Sequence, residues 1–338
     1  LPRPMEAPAS ADDGRRAEDN SASCRFRVEA VDGRGLGVLA ARDFECGELV
    51  LAETPVLFFQ MCDSDWCDAA HSKLDALPES RREEALLLHD AFASSDEKKS
   101  LEGILRTNGL CLGIDAVAAE RILCTTFSRF NHDCTPNCDL CWDAESGEVR
   151  VYTADAVCAG TELCIGYGEI RAPRSERRRQ LNERYRFECR CKACTAPAPD
   201  VERSDGRRAR MRELLQGIDE VKAKDGDRGV RMVCELLSLY DEEGIRLRSL
   251  RTTACFFAYQ FSLAMRDEQG TNWWVRRTYE HSVMCHGPQH KQTRRLRGFV
   301  EHPWSHPAAP NASSFAIISF TALSFLVLYL AVSWTWAA

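Results

Sequence analysis

Two patterns of hydrophobic and polar positions follow one another along the chain. Residues 26–55 carry short runs of alternating apolar and polar side chains, interrupted by closely spaced glycines, which predicts strands joined by tight turns. Residues 63–122 instead show an apolar period of about 3.6 residues, which predicts a helical insert. The β-rich pattern returns over residues 123–170, and beyond residue 195 amphipathic stretches predict an α-helical C-terminal domain.

The two ends of the chain follow neither pattern. Residues 1–23 have almost no large apolar side chains, which predicts a disordered leader. Residues 314–336 hold no charged side chain and end near Trp334 and Trp336, which predicts a C-terminal transmembrane helix, although a buried helix has a similar pattern. The basic stretch KQTRRLR precedes this segment and favours a membrane-anchored protein with its body in the cytosol. Without such an anchor, we expect a protein of the nucleus or cytoplasm.

Composition restricts the classes of ligand and compartment. The chain has 338 residues and a net charge of -7, which suits a main domain with an appendage and argues against nucleic acid as a direct ligand. Its 17 cysteines are an odd number, and the closest of them are spaced for a metal rather than for disulfides. We therefore expect an intracellular, reducing compartment.

Two motifs carry candidate binding residues. The first is the glycine-rich turn GRGLG at residues 33–37, where the backbone can approach a ligand closely, although such turns also simply join strands. The second is RFNHDCTPNC at residues 129–138, in which Asn131 and His132 offer amide and imidazole hydrogen bonds and Pro136 fixes a turn. Taken alone, the second motif is also compatible with a polar loop that holds one buried histidine.

A third motif combines a tyrosine with clustered cysteines. Tyr167 lies in ELCIGYGE, and Cys189, Cys191 and Cys194 follow in FECRCKAC. A structural zinc takes four ligands, so these three thiols need a fourth from elsewhere in the fold, for which Cys134 is the natural candidate. The alternative is a set of thiols that binds no metal.

Together the segments GRGLGVLAARDFECGE, RFNHDCTPNC, GTELCIGYGE and FECRCKAC resemble, in order and separation, the SET domain and its cysteine-rich post-SET closure. The resemblance covers about residues 25–195. It implies a β-rich SET domain, β-clip-like and with a pseudoknot, that is split by a helical insert and followed by tetratricopeptide-like helices. A MYND zinc finger interrupts the domain in related proteins, and Cys62, Cys67 and His71 are too few to form one here. The implied division is 24–62 and 123–170 for the SET halves, 63–122 for the insert, 171–195 for the zinc cluster and 196–310 for the helical region.

The same resemblance implies a lysine methyltransferase that uses S-adenosylmethionine and one structural zinc. Its motifs place Tyr167 beside the transferring methyl group. They also assign the other site residues: Arg34, Gly35, Leu36, Asn131, His132 and Phe187 to the cofactor, and Cys134, Cys189, Cys191 and Cys194 to the metal. The expected partner is a protein substrate, histone or non-histone, bound by a monomer. Gly166 departs from the family pattern, in which a side chain such as Asp or Ser is more usual before the tyrosine.

Other functions remain open at this point. A SET-fold interaction module without turnover would also retain the fold. A redox or zinc-storage protein would use the cysteines but would give no role to Tyr167 or to the glycine turn. The C-terminal helices could form a peptide-binding surface or a cover packed on the SET core, and their small number favours the cover.

Overall fold

The computed structural model describes residues 25–61, 64–93, 98–112, 120–221 and 225–306. The predicted leader (1–23) and the predicted transmembrane helix (314–336) both lie outside these ranges. Within them, no helix combines the length and the apolar character needed to cross a membrane. The anchor is therefore still a prediction from the sequence.

The strands in the described part of the chain form three small antiparallel sheets. In the first, β1 (Phe26–Val31) pairs with β2 (Gly35–Ala40). The second has the order β3-β8-β7 and the third the order β4-β6-β5. Their strands are β3 (Leu49–Glu53), β4 (Leu57–Phe59), β5 (Leu110–Cys111), β6 (Arg121–Leu123), β7 (Cys138–Asp143) and β8 (Glu148–Thr153). The turn between β1 and β2 needs glycine, because Gly33 and Gly35 have φ angles of +67° and +74°.

The insert contains three helices that pack with β4 and β6 around a separate hydrophobic cluster. They are α1 (Trp66–Asp75), α2 (Glu79–Leu86) and α3 (Leu101–Asn108). Ser100 is the N-cap of α3, and its hydroxyl accepts a hydrogen bond from the backbone N–H of Gly103. The helical part is shorter than the predicted 63–122, because residues 110–111 and 121–123 are strands that extend the sheet begun by β4.

A segment that ends near Tyr167 lies between two distant parts of the chain. On one side, the N–H of Leu163 donates to the carbonyl of Val38 in β2 over 2.7 Å. On the other side, the N–H of Ile165 donates to the carbonyl of Asn131 over 3.0 Å, and Ile165 is bridged to His132 in parallel. The predicted pseudoknot-like arrangement thus brings the glycine turn, the Asn-His pair and the tyrosine together.

Seven helices follow the β-rich body in the described part of the chain. They are α4 (Arg174–Tyr185), α5 (Lys192–Thr195), α6 (Ala198–Glu220), α7 (Gly226–Glu242), α8 (Arg248–Ala264), α9 (Glu268–His286) and α10 (Lys291–Glu301). Apolar residues from α6 to α10 form one buried cluster, which also takes in Ala154 and Ile170 of the body. The predicted helical C-terminal region is therefore confirmed, and it is packed against the body.

Polar contacts reinforce this packing. The carboxylate of Asp139 on β7 is fully buried and accepts hydrogen bonds from the backbone N–H groups of Arg248 and Ser249, over 2.7 and 3.2 Å, at the start of α8. It thereby acts as an N-cap supplied from outside the helix. Farther along, the hydroxyl of Tyr152 donates to the carbonyl of His286 over 3.0 Å. These contacts fit the interpretation of the helices as a cover for the body.

Candidate active site and metal centre

Tyr167 is fixed by both its side chain and its backbone. Its hydroxyl donates to the carbonyl of Phe130 over 2.6 Å, and its backbone N–H donates to Nδ1 of His132 over 3.0 Å. Burial raises the pKa of the Tyr167 phenol, so the hydroxyl is protonated at neutral pH. Burial also lowers the pKa of His132 to about 3, so its imidazole is neutral.

The ring of His132 is buried and has a polar partner at each of its two nitrogens. Its Nδ1 accepts a hydrogen bond from Tyr167, so the hydrogen of the neutral ring is on Nε2, which lies 3.3 Å from Sγ of Cys134. The residue is 5% exposed. His132, which the sequence assigned to the cofactor, also lines the cleft beside Tyr167.

Asn131 joins the glycine turn to the segment that carries Tyr167. Its Nδ2 donates to the carbonyl of Leu36 over 3.2 Å and to Oε1 of Glu162 over 2.8 Å. The other carboxylate oxygen of Glu162 pairs with Arg34 over 2.7 Å. A Cβ at Gly37 would lie 2.9 Å from Nδ2 of Asn131, so glycine is required for this approach. Sequence reasoning missed Glu162, although it stands five residues before Tyr167 in the quoted motif.

The outer side of the glycine turn is open. No heavy atom lies within 4 Å of the position that a Cβ would take at Gly33 or Gly35. Leu36 beside them is 45% exposed. The predicted cofactor residues Arg34, Gly35 and Leu36 therefore present accessible backbone and an apolar side chain next to the network of Asn131.

Three aromatic rings meet at the site. The ring centroid of Tyr167 lies 4.8 Å from that of Tyr185 and 6.4 Å from that of Phe187, and the latter two lie 6.5 Å apart. The predicted site residue Phe187 thus joins Tyr167. The sequence analysis did not identify Tyr185 as a site residue. Its position two residues before Phe187, at the end of α4, could have indicated it.

A cleft opens beside these rings on the side of α4. Its walls combine aromatic, aliphatic and polar groups. Its lining includes Tyr167, Gly168, Gln180, Leu181, Arg184 and Tyr185.

The four predicted metal ligands converge. The Sγ atoms of Cys134, Cys189, Cys191 and Cys194 all lie within 4.8 Å of one another, and all four residues are buried. Cys134 is 3.6 Å from Cys194 and 4.0 Å from Cys189. Tetrahedral zinc with Zn–S bonds of about 2.3 Å separates its sulfurs by about 3.8 Å, so the group fits one zinc ion.

The loop that supplies three of these ligands is shaped by its own backbone. The carbonyl of Cys191 accepts a hydrogen bond from the N–H of Cys194 over 2.9 Å at the start of α5. This turn directs both sulfurs to one point. Cys134 comes from the motif that holds Asn131 and His132, so the centre joins that motif to the loop after Phe187.

A second group of metal-binding residue types lies in the insert. Sγ of Cys67 is 3.7 Å from Nδ1 of His71, while Cys62 is outside the described residues. Over the ranges that the structure describes, the four-cysteine group is the one cluster of three or more candidate ligands. The lack of a MYND finger remains a prediction.

Comparisons with known proteins agree with this arrangement. Residues 35–168 match the family model of the SET domain. The chain is 23% identical over 286 residues to histone-lysine N-methyltransferase set5 of Schizosaccharomyces pombe, covering 84% of this chain and 86% of the relative. It is 28% identical over 149 residues to histone-lysine N-methyltransferase SMYD3 of Mus musculus, covering 42% of this chain and 34% of that relative.

A solved structure also shows similarity over most of the chain. It is the SET domain of LSMT bound to lysine and AdoHcy, 10% identical, with a TM-score of 0.33 and coverage of 83% of this chain and 87% of that one. From the match to the family model, we conclude that residues 35–168 form a SET domain, and the relatives similar in sequence include proteins named histone-lysine N-methyltransferases.

Proposed function

We propose that the protein transfers a methyl group from S-adenosylmethionine to the side-chain nitrogen of a lysine in a protein substrate. The observation that carries the proposal is the convergence of the glycine turn, the Asn-His pair and Tyr167, which are far apart in the sequence. Relatives that match this region are named histone-lysine N-methyltransferases.

The open glycine turn suits a cofactor that needs close backbone contact. Arg34, Gly35 and Leu36 are accessible there, and Asn131 holds the turn at a fixed distance from the tyrosine segment. We assign these residues to cofactor binding, together with His132 and the ring of Phe187. When bound, S-adenosylmethionine supplies an electrophilic methyl group on a positively charged sulfur.

Tyr167 is suited to orient an amine rather than to remove its proton. Its hydroxyl hydrogen is used by the carbonyl of Phe130, so the phenol oxygen is left to accept a hydrogen bond from the lysine nitrogen. Its pKa is raised by burial, which makes the phenol a protonated group without a negative charge at neutral pH. Alignment of this kind can contribute about 7–11 kcal/mol to a two-reactant step.

The aromatic rings would also favour a neutral lysine. A free lysine has a pKa of about 10.4, and removal from water lowers that pKa because the ammonium form is the charged one. Tyr167, Tyr185 and Phe187 supply apolar ring surface where the amine would lie. The positive cofactor would lower the lysine pKa further by like-charge repulsion.

We assign one structural zinc to the four cysteines. The zinc would join Cys134 to Cys189. Cys134 comes two residues after His132, and Cys189 comes two residues after Phe187. Bound zinc supplies a rigid connection and no open coordination position. The zinc would therefore hold Phe187 over the site without taking part in the chemistry.

The partner is a protein, which we propose to be a histone or a non-histone substrate of a monomeric enzyme. Residues 314–336 are proposed to anchor the protein with its body in the cytosol, which would favour non-histone substrates. Fractionation of cells that express the full chain tests the anchor. An anchored protein should remain with the membranes after a carbonate wash, and release of the protein into the wash would overturn the anchor. In that case, the nucleus or the cytoplasm is the expected location.

A SET-fold interaction module without turnover is the second candidate function. Gly166 favours it, because a flexible residue directly before Tyr167 could reduce the rigidity that alignment needs. Calorimetric titration with S-adenosylmethionine separates the two candidates. The enzyme should bind the cofactor with measurable heat, whereas a module that has lost the reaction has no need to bind it.

Incubation with radiolabelled S-adenosylmethionine and a cell extract tests turnover. The full chain should label one or a few protein bands, and Y167F should label them far less at equal protein concentration. Equal labelling by both proteins would show that Tyr167 has no role in the reaction. A lack of labelling by both would favour the interaction module.

A further inference from the structure

The proposed metal centre has a buried arginine beside it that the proposed function does not use. Arg177 on α4 is 3% exposed. Its Nε donates to Sγ of Cys134 over 3.2 Å and its Nη2 to Sγ of Cys194 over 3.8 Å. Its remaining nitrogen donates to the carbonyl of Ala172. The guanidinium is therefore surrounded by two sulfurs and one backbone oxygen.

The charge of Arg177 lacks a carboxylate to offset it. No ion pair joins Arg177 to an acidic side chain among the residues that the structure describes. Arg208 provides the contrast, because it is equally buried near the centre but lies 3.0 Å from Glu243. An arginine is always charged in proteins, and an isolated buried charge is costly. The sulfurs are thus the groups that can offset the charge of Arg177.

Zinc bound by four cysteines provides the matching negative charge. Each ligand is a thiolate, so a zinc ion with four of them has a net charge of −2. Burial of that charge would be unfavourable without a cation nearby. Hydrogen bonds between a guanidinium and charged acceptors are among the stronger ones in proteins.

We propose that Arg177 is a positioning residue of the zinc centre, where its guanidinium offsets the charge of the four thiolates and slows the loss of the metal. It contacts both Cys134 and Cys194, so it connects the Asn-His motif with the loop after Phe187 through their metal ligands. The inference depends on the zinc centre and not on methyl transfer. Activity is therefore left out of its test.

The test compares zinc-loaded and metal-free forms of the full chain carrying R177Q, R177K or the control R179M. Arg179 lies on the same helix, has a side chain 60% exposed and pairs with Glu183. Zinc release into an excess of a coloured chelator should be about 10 to 100 times faster in R177Q, a range typical for loss of a group that supports metal ligands. R177K keeps the charge but not the fork of nitrogens, so its rate should lie between those of R177Q and the wild type. R179M should match the wild type.

Melting temperatures of the two forms distinguish a metal-directed role from simple packing. The metal-free form has no zinc-thiolate centre whose charge Arg177 could offset. R177Q should therefore lower the melting temperature of the zinc-loaded form more than that of the metal-free form. The proposal would be overturned if R177Q released zinc at the wild-type rate. It would also be overturned if R177Q lowered the melting temperatures of the zinc-loaded and metal-free forms equally. If R177Q does not fold, the same two readouts on R177K decide it.

Discussion

The backbone N–H of Tyr167 donates to Nδ1 of His132, and the two atoms are 3.0 Å apart. The other ring nitrogen of His132 is 3.3 Å from Sγ of Cys134. One neutral imidazole therefore separates the proposed catalytic tyrosine from a proposed zinc ligand. Changes at the metal centre and changes at the tyrosine are expected to affect each other through this ring.

Replacement of His132 by leucine should weaken both neighbours. H132L leaves the N–H of Tyr167 without its acceptor, and an unpaired buried donor costs about 1–3 kcal/mol. We expect the free energy of unfolding of the zinc-loaded protein, measured with urea, to fall by about that amount. Zinc release should become faster in the same variant. A variant with wild-type stability and zinc release would show that the imidazole does not connect the two sites.

Replacement of Tyr167 by phenylalanine should separate turnover from cofactor binding. The loss of one oriented oxygen at a reacting centre typically slows the reaction by about 10²–10³-fold. Y167F should show that loss in kcat, while the calorimetric affinity for S-adenosylmethionine should change little, because the hydroxyl contacts the carbonyl of Phe130 and not the glycine turn. A large fall in affinity with unchanged kcat would contradict the assigned role.

Replacement of Cys134 by serine should remove the metal. The wild type should contain about one zinc per chain, since four thiols converge, and C134S should contain much less, because hydroxyl is a poor zinc ligand. Cys158 is an exposed free thiol outside the centre, so C158S is the matched control and should keep its zinc. Elemental analysis of the purified proteins gives the result. Equal zinc in C134S and C158S would exclude Cys134 as a ligand.

Replacement of Asp139 by alanine should loosen the helical cover without affecting the metal. The carboxylate caps α8 from β7, and loss of a cap costs about 0.5–2 kcal/mol. D139A should lower the free energy of unfolding by at least that much, and D139N should lower it less, because the amide keeps one acceptor. Both variants should retain zinc. A D139A protein as stable as the wild type would show that this contact does not hold the helices to the body.

The site residues were predictable to the extent that their chemistry is local in sequence. The glycines, the Asn-His pair and the close cysteines each occur in a short motif, and a zinc ion needs a fourth ligand, which pointed to Cys134. The structure brings these residues together as predicted. The hydrogen bond that His132 accepts was not predictable, because it depends on a backbone N–H that approaches from residue 167.

What the sequence did not reveal depends on contacts between distant segments. Nothing in the local sequence distinguishes Glu162, whose role depends on contacts with the distant residues Arg34 and Asn131. Tyr185 belongs to the site because α4 brings the chain back to Tyr167. The end of the insert was misplaced because strands of two or three residues are too short to show a period. Arg177 gave no signal, since its buried position follows from the folding of the cysteines around it.

The most direct test of the account is identification of the amino acid that receives the methyl group. Protein labelled by the full chain with methyl-labelled S-adenosylmethionine should be hydrolysed completely and its amino acids separated. The label should migrate with methylated lysine and should be strongly reduced when Y167F replaces the wild type. Label on another amino acid, or methylated lysine formed equally well by Y167F, would contradict it.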